Sequence, residues 1–260
     1  MVEIRCEDCF KTMDYFKGSG IEVDVILTSP PYNSGYTSPD KSRYDVFVDR
    51  KSTEEYVQWT VDLFNRYDGV LKKNGVVLYN INYGVTAPTD VYLSVAEVIR
   101  KTHFMTADCI CWYKTTATPN NSSSNKLTRW WENVFVFCRK DEYDTFHCNK
   151  VVDYVLKSSQ VIYKSIPNII RAKNNDEMQS LNKATYSSEL CEKLLEIYAP
   201  EDGVVYDSFM GTGTTAVACK RRGLSCYGSE ISKEQVGYTM ARLSKVFSFD
   251  IDRVVWGKED

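Results

Sequence analysis

Short apolar runs alternate with amphipathic stretches along most of the chain. The runs are continuous and rich in Val, Ile and Leu, which is typical of strands buried on both faces. The amphipathic stretches carry apolar residues three and four positions apart, which predicts helices. Strands are predicted at residues 2–4, 23–27, 76–79, 107–113, 133–138, 203–209 and 224–228, and helices at residues 10–17, 52–71, 91–101, 187–199, 216–222 and 232–246. This alternation predicts an α/β fold with a mostly parallel sheet and helices on both faces.

One helix carries signals at both predicted ends. Ser52-Thr53-Glu54-Glu55 resembles a capping box, in which a hydroxyl and a carboxylate satisfy the first free N–H groups. The apolar stripe then continues to Leu71. Lys72-Lys73-Asn74-Gly75 follows, and basic residues with a glycine favour a helix C-terminus. The sequence therefore predicts a helix that reaches Leu71 and closes on these four residues.

A rigid polar elbow, Thr28-Ser29-Pro30-Pro31-Tyr32, directly follows the second predicted strand. The two prolines end the strand because neither can donate to a β ladder. In open α/β sheets, ligands bind outside the carboxyl ends of strands. The elbow is therefore either a plain strand-end turn or part of a ligand site that offers a hydroxyl and an aromatic ring.

A glycine-rich turn near the other end of the chain changes the weight of these two interpretations. The strand at residues 203–209 leads into Gly211-Thr-Gly213-Thr-Thr-Ala216, then a helix, another strand and Glu230. Glycines permit a tight turn and a close approach of backbone N–H groups to a ligand, while an acid after the next strand is placed to bind a ribose. This order predicts an adenosine-containing cofactor.

The position of the glycine-rich turn along the chain argues against a nicotinamide cofactor. Nicotinamide enzymes normally carry this unit at the N-terminus, whereas here only residues 232–260 follow Glu230. The other strands must therefore come first, which indicates a permuted order. A nicotinamide-dependent oxidoreductase stays as the alternative.

Composition restricts the class of protein and the cellular compartment that we expect. The 260 residues are 43% apolar and 26% charged, as in ordinary globular proteins. Nine cysteines at irregular spacing, with only two histidines, do not form a zinc pattern, so we expect no metal and a reducing compartment. The chain shows neither a signal peptide nor an apolar run long enough to span a membrane, so we expect a cytoplasmic protein.

Charge is distributed unevenly, although the net charge is only −3. Residues 114–129 contain no acid and carry Lys114, Lys126 and Arg129, which suits either phosphate contacts or an ordinary solvated loop. Residues 142–175 fit the α/β repeat poorly and combine bases with Tyr154 and Tyr163, as nucleic-acid readers do. The bases of this segment are Lys150, Lys157, Lys164, Arg171 and Lys173.

Two further polar features adjoin the predicted strands. Residues 33–51 form a long polar stretch, which favours a lid or a disordered loop beside the elbow. Asp8 follows the first predicted strand and is either a helix N-cap or a hydrogen-bond acceptor for a ligand.

Taken together, the motifs resemble those of amino-directed DNA methyltransferases. Asp207-Ser-Phe209-Met-Gly211-Thr-Gly213-Thr-Thr is similar to their cofactor motif, and Thr28-Ser29-Pro30-Pro31-Tyr32 to their catalytic motif. The catalytic motif comes first, as in the permuted β group. Further similar segments are residues 70–75, 112–114, 132–137 and 183–186. The resemblance implies one Rossmann-like methyltransferase domain over residues 1–260, with a target-recognition insertion at about residues 142–175.

The resemblance also implies roles for individual residues. Ser29 and Pro30 would hold the target amine, Pro31 would stiffen the elbow and Tyr32 would stack on a flipped base. S-adenosylmethionine would be bound by Asp8, Thr28, Lys183, Thr185, Asp207, Phe209, Gly211, Gly213 and Glu230. Double-stranded DNA would be contacted by Lys114, Lys126, Arg129, Lys157, Lys164 and Arg171. A cognate restriction endonuclease and a homodimer are left open as further partners.

The expected target is an exocyclic amine of a base. Methylation of ring carbon 5 uses a cysteine after a proline, and the sequence has no Pro-Cys pair. In the family that the motifs resemble, a serine before Pro-Pro-Tyr favours N4 of cytosine, with N6 of adenine as the alternative. A catalytically silent DNA-binding subunit is disfavoured because Ser29 and Tyr32 are both present.

Overall fold

The computed structural model describes residues 1–33, 50–82, 89–117, 119–121, 123–176, 185–247 and 252–257. Lys183 and residues 34–49 of the predicted lid lie outside these ranges. The strands are β1 (Val2–Cys6), β2 (Val23–Thr28), β3 (Leu71–Ile81), β4 (Phe104–Lys114), β5 (Trp131–Arg139), β6 (Val152–Val155), β7 (Val161–Tyr163), β8 (Ile169–Ala172), β9 (Val204–Asp207), β10 (Ser225–Ser229) and β11 (Arg253–Trp256). The helices are α1 (Cys9–Ser19), α2 (Thr53–Asp68), α3 (Asp90–Lys101), α4 (Ser188–Tyr198), α5 (Thr214–Arg221) and α6 (Lys233–Phe247).

Nine of these strands form one sheet in the order β11-β1-β10-β9-β2-β3-β5-β4-β8. Neighbours pair in parallel except on the two sides of β5, which runs antiparallel to both β3 and β4. The predicted α/β fold with a mostly parallel sheet is therefore confirmed. From β9 the chain winds outward in one direction and from β2 in the other, so these two neighbours form the switch point of the sheet.

Helices cover both faces of the sheet, and each face has its own core. Helices α1, α2 and α3 pack on the face that carries Val23, Val77 and Tyr79. Helices α4, α5 and α6 pack on the opposite face, against Leu27 and Leu78. The central strands are buried on both sides, which explains why they appear as continuous apolar runs rather than as alternating patterns.

Helix α2 begins as the sequence predicts and ends earlier. The side chain of Ser52 accepts a hydrogen bond from the N–H of Glu55, whose carboxylate accepts from the N–H of Ser52, so the capping box is confirmed. The predicted C-terminus at Leu71 is wrong, because α2 ends at Asp68 and Leu71 already begins β3. Gly69 is the C-cap, and the guanidinium of Arg139 on β5 donates to the backbone oxygens of Asp68 and Leu71 at 2.9 and 2.6 Å, on either side of this turn.

Residues 72–75 form an irregularity in β3 instead of a helix end. Leu71 pairs with Val23 and Val76 with Val25, so β3 bulges by several residues between two closely spaced positions of β2. Asn74 adopts a left-handed backbone with φ of 61°. The same basic and turn-forming residues that favour a helix C-terminus also suit a bulge, and the local sequence does not distinguish the two.

Strand β11 has no counterpart in the sequence prediction. It pairs in parallel with β1, with Glu3 opposite Arg253. The strand is only four residues long and half exposed at the sheet edge, so it lacks the continuous apolar run that marks the inner strands. Within the described ranges, none of the helices has the length and apolar character needed to cross a membrane.

The segment at residues 142–175 departs from the α/β repeat, as predicted. Strands β6 and β7 pair only with each other as an antiparallel hairpin, and β8 returns to the main sheet beside β4. The hairpin exposes an unusual number of large side chains, namely those of Val152, Tyr154, Val155, Leu156, Val161 and Tyr163. Exposed apolar groups on a two-stranded ribbon are typical of a surface that meets another molecule.

Candidate active site

The elbow and the glycine-rich turn lie side by side at the carboxyl edge of the sheet. The elbow follows β2 and the glycine-rich turn follows β9, and these neighbouring strands define the switch point where ligands bind in open sheets. One cleft runs between them. Its lining includes Asp8, Ser29, Pro30, Pro31, Tyr32, Trp59, Thr185, Tyr186, Phe209, Gly211, Glu230 and Gln235.

A direct hydrogen bond joins the two motifs beneath the cleft. The hydroxyl of Thr28 donates to Oδ1 of Asp207 at 2.8 Å and lies 3.1 Å from Oγ of Ser208. Thr28 and Asp207 are both fully buried. The contact fixes the end of β2 against the end of β9, so the elbow and the glycine-rich turn hold a constant spacing.

Asp207 acts as the acceptor for four donors. Oδ1 also accepts the N–H of Phe209 at 3.0 Å, and Oδ2 accepts the hydroxyls of Thr215 and Tyr186 at 2.6 and 3.1 Å. Burial raises the pKa of Asp207, and these hydrogen bonds partly oppose that shift. Asp207 and Thr28, both predicted as cofactor ligands, lie under the cleft floor rather than in its lining.

The glycine-rich turn depends on close packing against α6. Gly213 has a φ of 78°, and a Cβ there would lie 2.3 Å from Cγ2 of Thr239. The hydroxyl of Thr239 donates to the backbone oxygen of Gly211 at 3.1 Å. Gly211 lines the cleft, whereas Gly213 is absent from its lining and faces Thr239.

Two acidic residues reach the cleft from the ends of β1 and β10. Asp8 caps α1 by accepting the N–H of Phe10 at 2.8 Å, which confirms the N-cap interpretation, and it also lines the cleft. Glu230 accepts the N–H of Gly211 at 2.8 Å and that of Ser232 at 2.9 Å. These bonds orient the carboxylate at the edge of the cleft.

An aromatic wall closes one side of the cleft. Trp59 on α2 lies 5.8 Å from the ring of Phe209 and 5.8 Å from that of Tyr56. The hydroxyl of Tyr56 donates to the backbone oxygen of Pro31 at 2.8 Å, which ties α2 to the elbow. Sequence reasoning missed Trp59 and Tyr56 as site residues, because their helical spacing indicates only packing on the core.

A hydrogen-bonded chain extends from Ser29 away from the cofactor motif. Oγ of Ser29 lies 3.0 Å from the hydroxyl of Tyr32, which donates to oxygens of Asn80 or Glu132 at 3.1 to 3.4 Å. Glu132 forms an ion pair with Lys114 at 2.5 Å. Sequence reasoning assigned no role to Asn80 or Glu132. Two-residue alternation on β3 and β5 places both on one face, but only the pairing of these strands shows that they meet.

The predicted DNA-contacting bases divide into two groups. Lys114 is the last residue of β4, its side chain is only 12% exposed, and it pairs with Glu132 instead of lying on a solvated loop. Lys126, Lys157 and Lys164 are exposed on the loop before β5 and on the hairpin. Arg171 is exposed on β8, with its guanidinium 5.5 Å from the ring of Tyr113, which stacks on Trp130. Arg129 is partly exposed.

Of Lys183 and Thr185, the two predicted cofactor ligands in the segment before α4, the structure describes Thr185. Thr185 lines the cleft beside Tyr186, which donates its hydroxyl to Asp207. The cleft therefore collects residues that follow β1, β2, β9 and β10, residues of α2 and α6, and residues of the segment before α4. Half of them come from the two motifs, and the remainder come from elements that reach the same sheet edge.

Solved structures share this fold. The structure of M1.HpyAVI in complex with SAM superimposes with a TM-score of 0.65 at 23% identity, covering 94% of this chain and 99% of that one. The PvuII DNA methyltransferase, described as cytosine-N4-specific, gives a TM-score of 0.69 at 15% identity and covers 98% of this chain and 94% of its own. At these identities the likeness shows the common fold.

Sequence comparison gives the family. The type II methyltransferase M.BglII of Bacillus subtilis is 24% identical over 244 residues, which cover 85% of this chain and 64% of that protein, less than two thirds of its length. The family model described as DNA methylase matches residues 23–241. That match runs from β2 into α6 and includes both the elbow and the glycine-rich turn. Because it covers most of the chain, the protein belongs to the N6/N4 DNA methylase family.

Proposed function

We propose that this protein transfers a methyl group from S-adenosylmethionine to the exocyclic N4 of cytosine in double-stranded DNA. The observation that carries the proposal is the hydrogen bond between Thr28 and Asp207, which couples the amine-binding elbow to the cofactor turn. Methyl transfer needs its two reactants held in one fixed geometry, and such orientation supplies a large part of the rate.

The cleft residues fit an adenosine cofactor. Phe209 and Trp59 offer aromatic surface for a purine, and Asp8 and Glu230 offer carboxylate oxygens for amine and hydroxyl donors. Structures of the same fold have been solved with SAM, which supports this choice of cofactor. When bound, the cofactor supplies an electrophilic methyl group on a sulfonium.

Ser29 and Pro30 act on the target amine. The lone pair of an exocyclic amine is delocalised into the ring, so the nitrogen is a poor nucleophile. With the cofactor and the target base bound, the hydroxyl oxygen of Ser29 and the backbone oxygen of Pro30 would accept its two N–H bonds and favour a tetrahedral nitrogen with its lone pair available to the methyl group. The nitrogen would lose one of these two protons once it carries the methyl group. This is orientation and electrostatic stabilisation without a covalent enzyme intermediate.

Tyr32 holds the base while the amine reacts. A base inside a duplex cannot reach the cleft, so the enzyme must flip it out of the stack. Tyr32 lines the cleft beside Ser29 and stacks on the flipped ring, a contact worth about 1–3 kcal/mol in nucleic-acid complexes.

Serine before Pro-Pro-Tyr favours cytosine in the family that the motifs resemble. Adenine N6 is the second candidate, because both amines present two N–H donors to the same acceptors. The family match covers both N6 and N4 enzymes. The identity of the methylated base therefore distinguishes the two candidates.

The DNA interface is proposed along one side of the cleft. The hairpin at residues 152–163 carries Lys157, the next residue along the chain is Lys164, and the loop before β5 carries Lys126; all three are exposed and available for phosphate contacts. We assign the segment at about residues 142–175 to target recognition. The type II names of the relatives favour a cognate restriction endonuclease as partner.

The test combines binding with transfer. Calorimetry is expected to show binding of S-adenosylmethionine and none of NADH. Incubation with DNA and the methyl-labelled cofactor is expected to place the label in DNA. Binding of NADH without S-adenosylmethionine would support an oxidoreductase, and cofactor binding with no label in DNA would contradict the proposed substrate.

A further inference from the structure

The hydroxyl of Tyr32 faces three oxygen atoms that we name the acceptor cluster: Oδ1 and the backbone oxygen of Asn80, and Oε2 of Glu132. Their distances from the hydroxyl oxygen are 3.1, 3.4 and 3.2 Å. On its other side, the same hydroxyl lies 3.0 Å from Oγ of Ser29. Tyr32 therefore stands between the residue that binds the amine and a group of hydrogen-bond acceptors.

The orientation of each member of the acceptor cluster is fixed by its other contacts. The amide nitrogen of Asn80 donates to the backbone oxygen of Asn133 at 3.0 Å and lies 3.5 Å from Oε2 of Glu132, which turns Oδ1 towards Tyr32. Lys114 binds Oε1 of Glu132 at 2.5 Å and leaves Oε2 for Tyr32. Lys114 and Glu132 are only 12% and 13% exposed, so solvent competes little with this pairing.

Strand pairing explains why these residues meet. Strand β5 runs antiparallel to β3 and β4, so its first residues lie at the edge where β3 and β4 end. Asn80 and Glu132 each lie two residues from an apolar residue, Leu78 and Val134, of the core that faces α4 and α5. Alternation therefore points both side chains to the same face, directly beyond that core.

The number of available protons determines which group donates in the hydrogen bonds that link Ser29, Tyr32 and the acceptor cluster. A phenol has one proton to donate, and each oxygen of the acceptor cluster can only accept. The Tyr32 proton is therefore drawn to the cluster, and the Ser29 proton is donated to the oxygen of Tyr32. With its proton turned away, Ser29 presents oxygen lone pairs to the cleft.

We propose that Glu132 and Asn80 are positioning residues that impose this direction and thereby make Ser29 an acceptor for an N–H donor. The inference rests on the proposed function, because it concerns how Ser29 holds the target amine. It also predicts substrate class: a base with an exocyclic amine at this position is accepted, and a base with a carbonyl there meets oxygen lone pairs and is rejected.

The test is a double-mutant cycle built on Glu132→Gln. Lys114 retains the carbonyl oxygen of the new amide, so the amide nitrogen turns to Tyr32 and donates where the acceptor was. That donor competes with Ser29 for the oxygen of Tyr32. We expect the single-turnover methyl-transfer rate to fall about tenfold, as for the loss of one hydrogen bond in the transition state, while affinity for S-adenosylmethionine stays unchanged.

The second arm of the cycle removes the hydroxyl of Tyr32, which links the acceptor cluster to Ser29. In a Tyr32→Phe background the hydroxyl is gone, so Glu132→Gln is expected to cause no further loss. Losses that multiply in the double variant, or a wild-type rate in Glu132→Gln, would overturn the inference. Glu97→Gln, which breaks an ion pair with Lys101 on α3, serves as the matched control.

A second cycle and the activity of the wild-type protein distinguish failure of this inference from failure of the proposed function. Asn80→Ala enters the same cycle with Tyr32→Phe, so that the inference is tested even where Glu132→Gln does not fold. A wild-type protein that transfers no methyl group to DNA would refute the proposed function. Transfer by the wild type with independent losses in both cycles would refute this inference alone.

Discussion

At the scale of single residues, Ser29 is the group whose loss should affect the chemistry most and the structure least. Its hydroxyl lies at the cleft and contacts Tyr32, without supporting the core. We expect Ser29→Ala to slow methyl transfer roughly 100-fold, comparable to removal of one preorganised hydrogen-bonding group in other active sites. Calorimetric affinity for S-adenosylmethionine is expected to match the wild type. A wild-type transfer rate would exclude Ser29 from the reaction.

Gly213 is constrained by both its backbone and its neighbour. Gly213→Ala places a Cβ in the left-handed region and against Thr239, so we expect the free energy of unfolding to fall by at least about 1–2 kcal/mol. Gly237 on α6 has open space around it, and Gly237→Ala is expected to stabilise by about 0.5–1 kcal/mol. Urea unfolding of the two variants measures both values. Equal effects would contradict the packing of α6 on the glycine-rich turn.

Asp207 gives stability a pH dependence of defined sign. Burial raises its pKa above the ordinary value of about 3.9, so the folded protein binds this proton more tightly than the unfolded chain does. Its contribution to the free energy of unfolding is therefore fully present below the ordinary pKa and declines as pH rises through the folded pKa.

The variant Asp207→Asn tests that dependence. It loses acceptors for part of the four hydrogen bonds, which costs roughly 1–3 kcal/mol, and it no longer titrates. We expect the free energy of unfolding of Asp207→Asn, measured by urea unfolding, to fall furthest below that of the wild type near pH 4. The difference is expected to narrow towards neutral pH. Asp62→Asn, at an exposed position of α2, is the control. A deficit that widens with pH would contradict the raised pKa.

At the scale of elements, the exposed apolar side chains of the β6–β7 hairpin indicate that it binds a partner. If Lys157 and Lys164 contact phosphates, replacing both with Ala should weaken DNA binding at low salt and reduce the slope of log affinity against log salt by about 2. Fluorescence anisotropy at several salt concentrations measures this slope. Lys101→Ala, at the C-terminus of α3, should leave it unchanged. An unchanged slope in the hairpin variant would remove these lysines from the interface.

The elements that sequence patterns predicted are those whose determinants are local. The capping box at Ser52 and the apolar runs of β2 and β9 specify their structures through nearest neighbours, and the structure confirms them. The predicted end of α2 at Leu71 was wrong, and the backbone oxygen of Asp68, where the helix does end, accepts from Arg139, far along the chain. Local sequence cannot report such a distant donor.

At the scale of the whole molecule, strand order brings the site together. The elbow and the glycine-rich turn are separated by 179 positions between Thr28 and Asp207, yet they follow adjacent strands. The residues of the two motifs predicted that both belong to one site. Their contact follows from the pairing of β2 with β9, which the sequence does not reveal. Glu132 and Trp59 escaped prediction for the same reason, since only the packing of β5 and α2 brings them to the cleft edge.

The central claim is tested most directly by identifying the methylated base. DNA treated with the protein and S-adenosylmethionine is digested to nucleosides, which are separated by chromatography against standards and identified by mass spectrometry. Separation is needed because N4-methylcytosine and 5-methylcytosine have the same mass. We expect N4-methyldeoxycytidine from DNA treated with the wild type, and roughly 100-fold less of it from DNA treated with Ser29→Ala for the same short time. N6-methyldeoxyadenosine as the sole product, or 5-methyldeoxycytidine, would contradict this expectation.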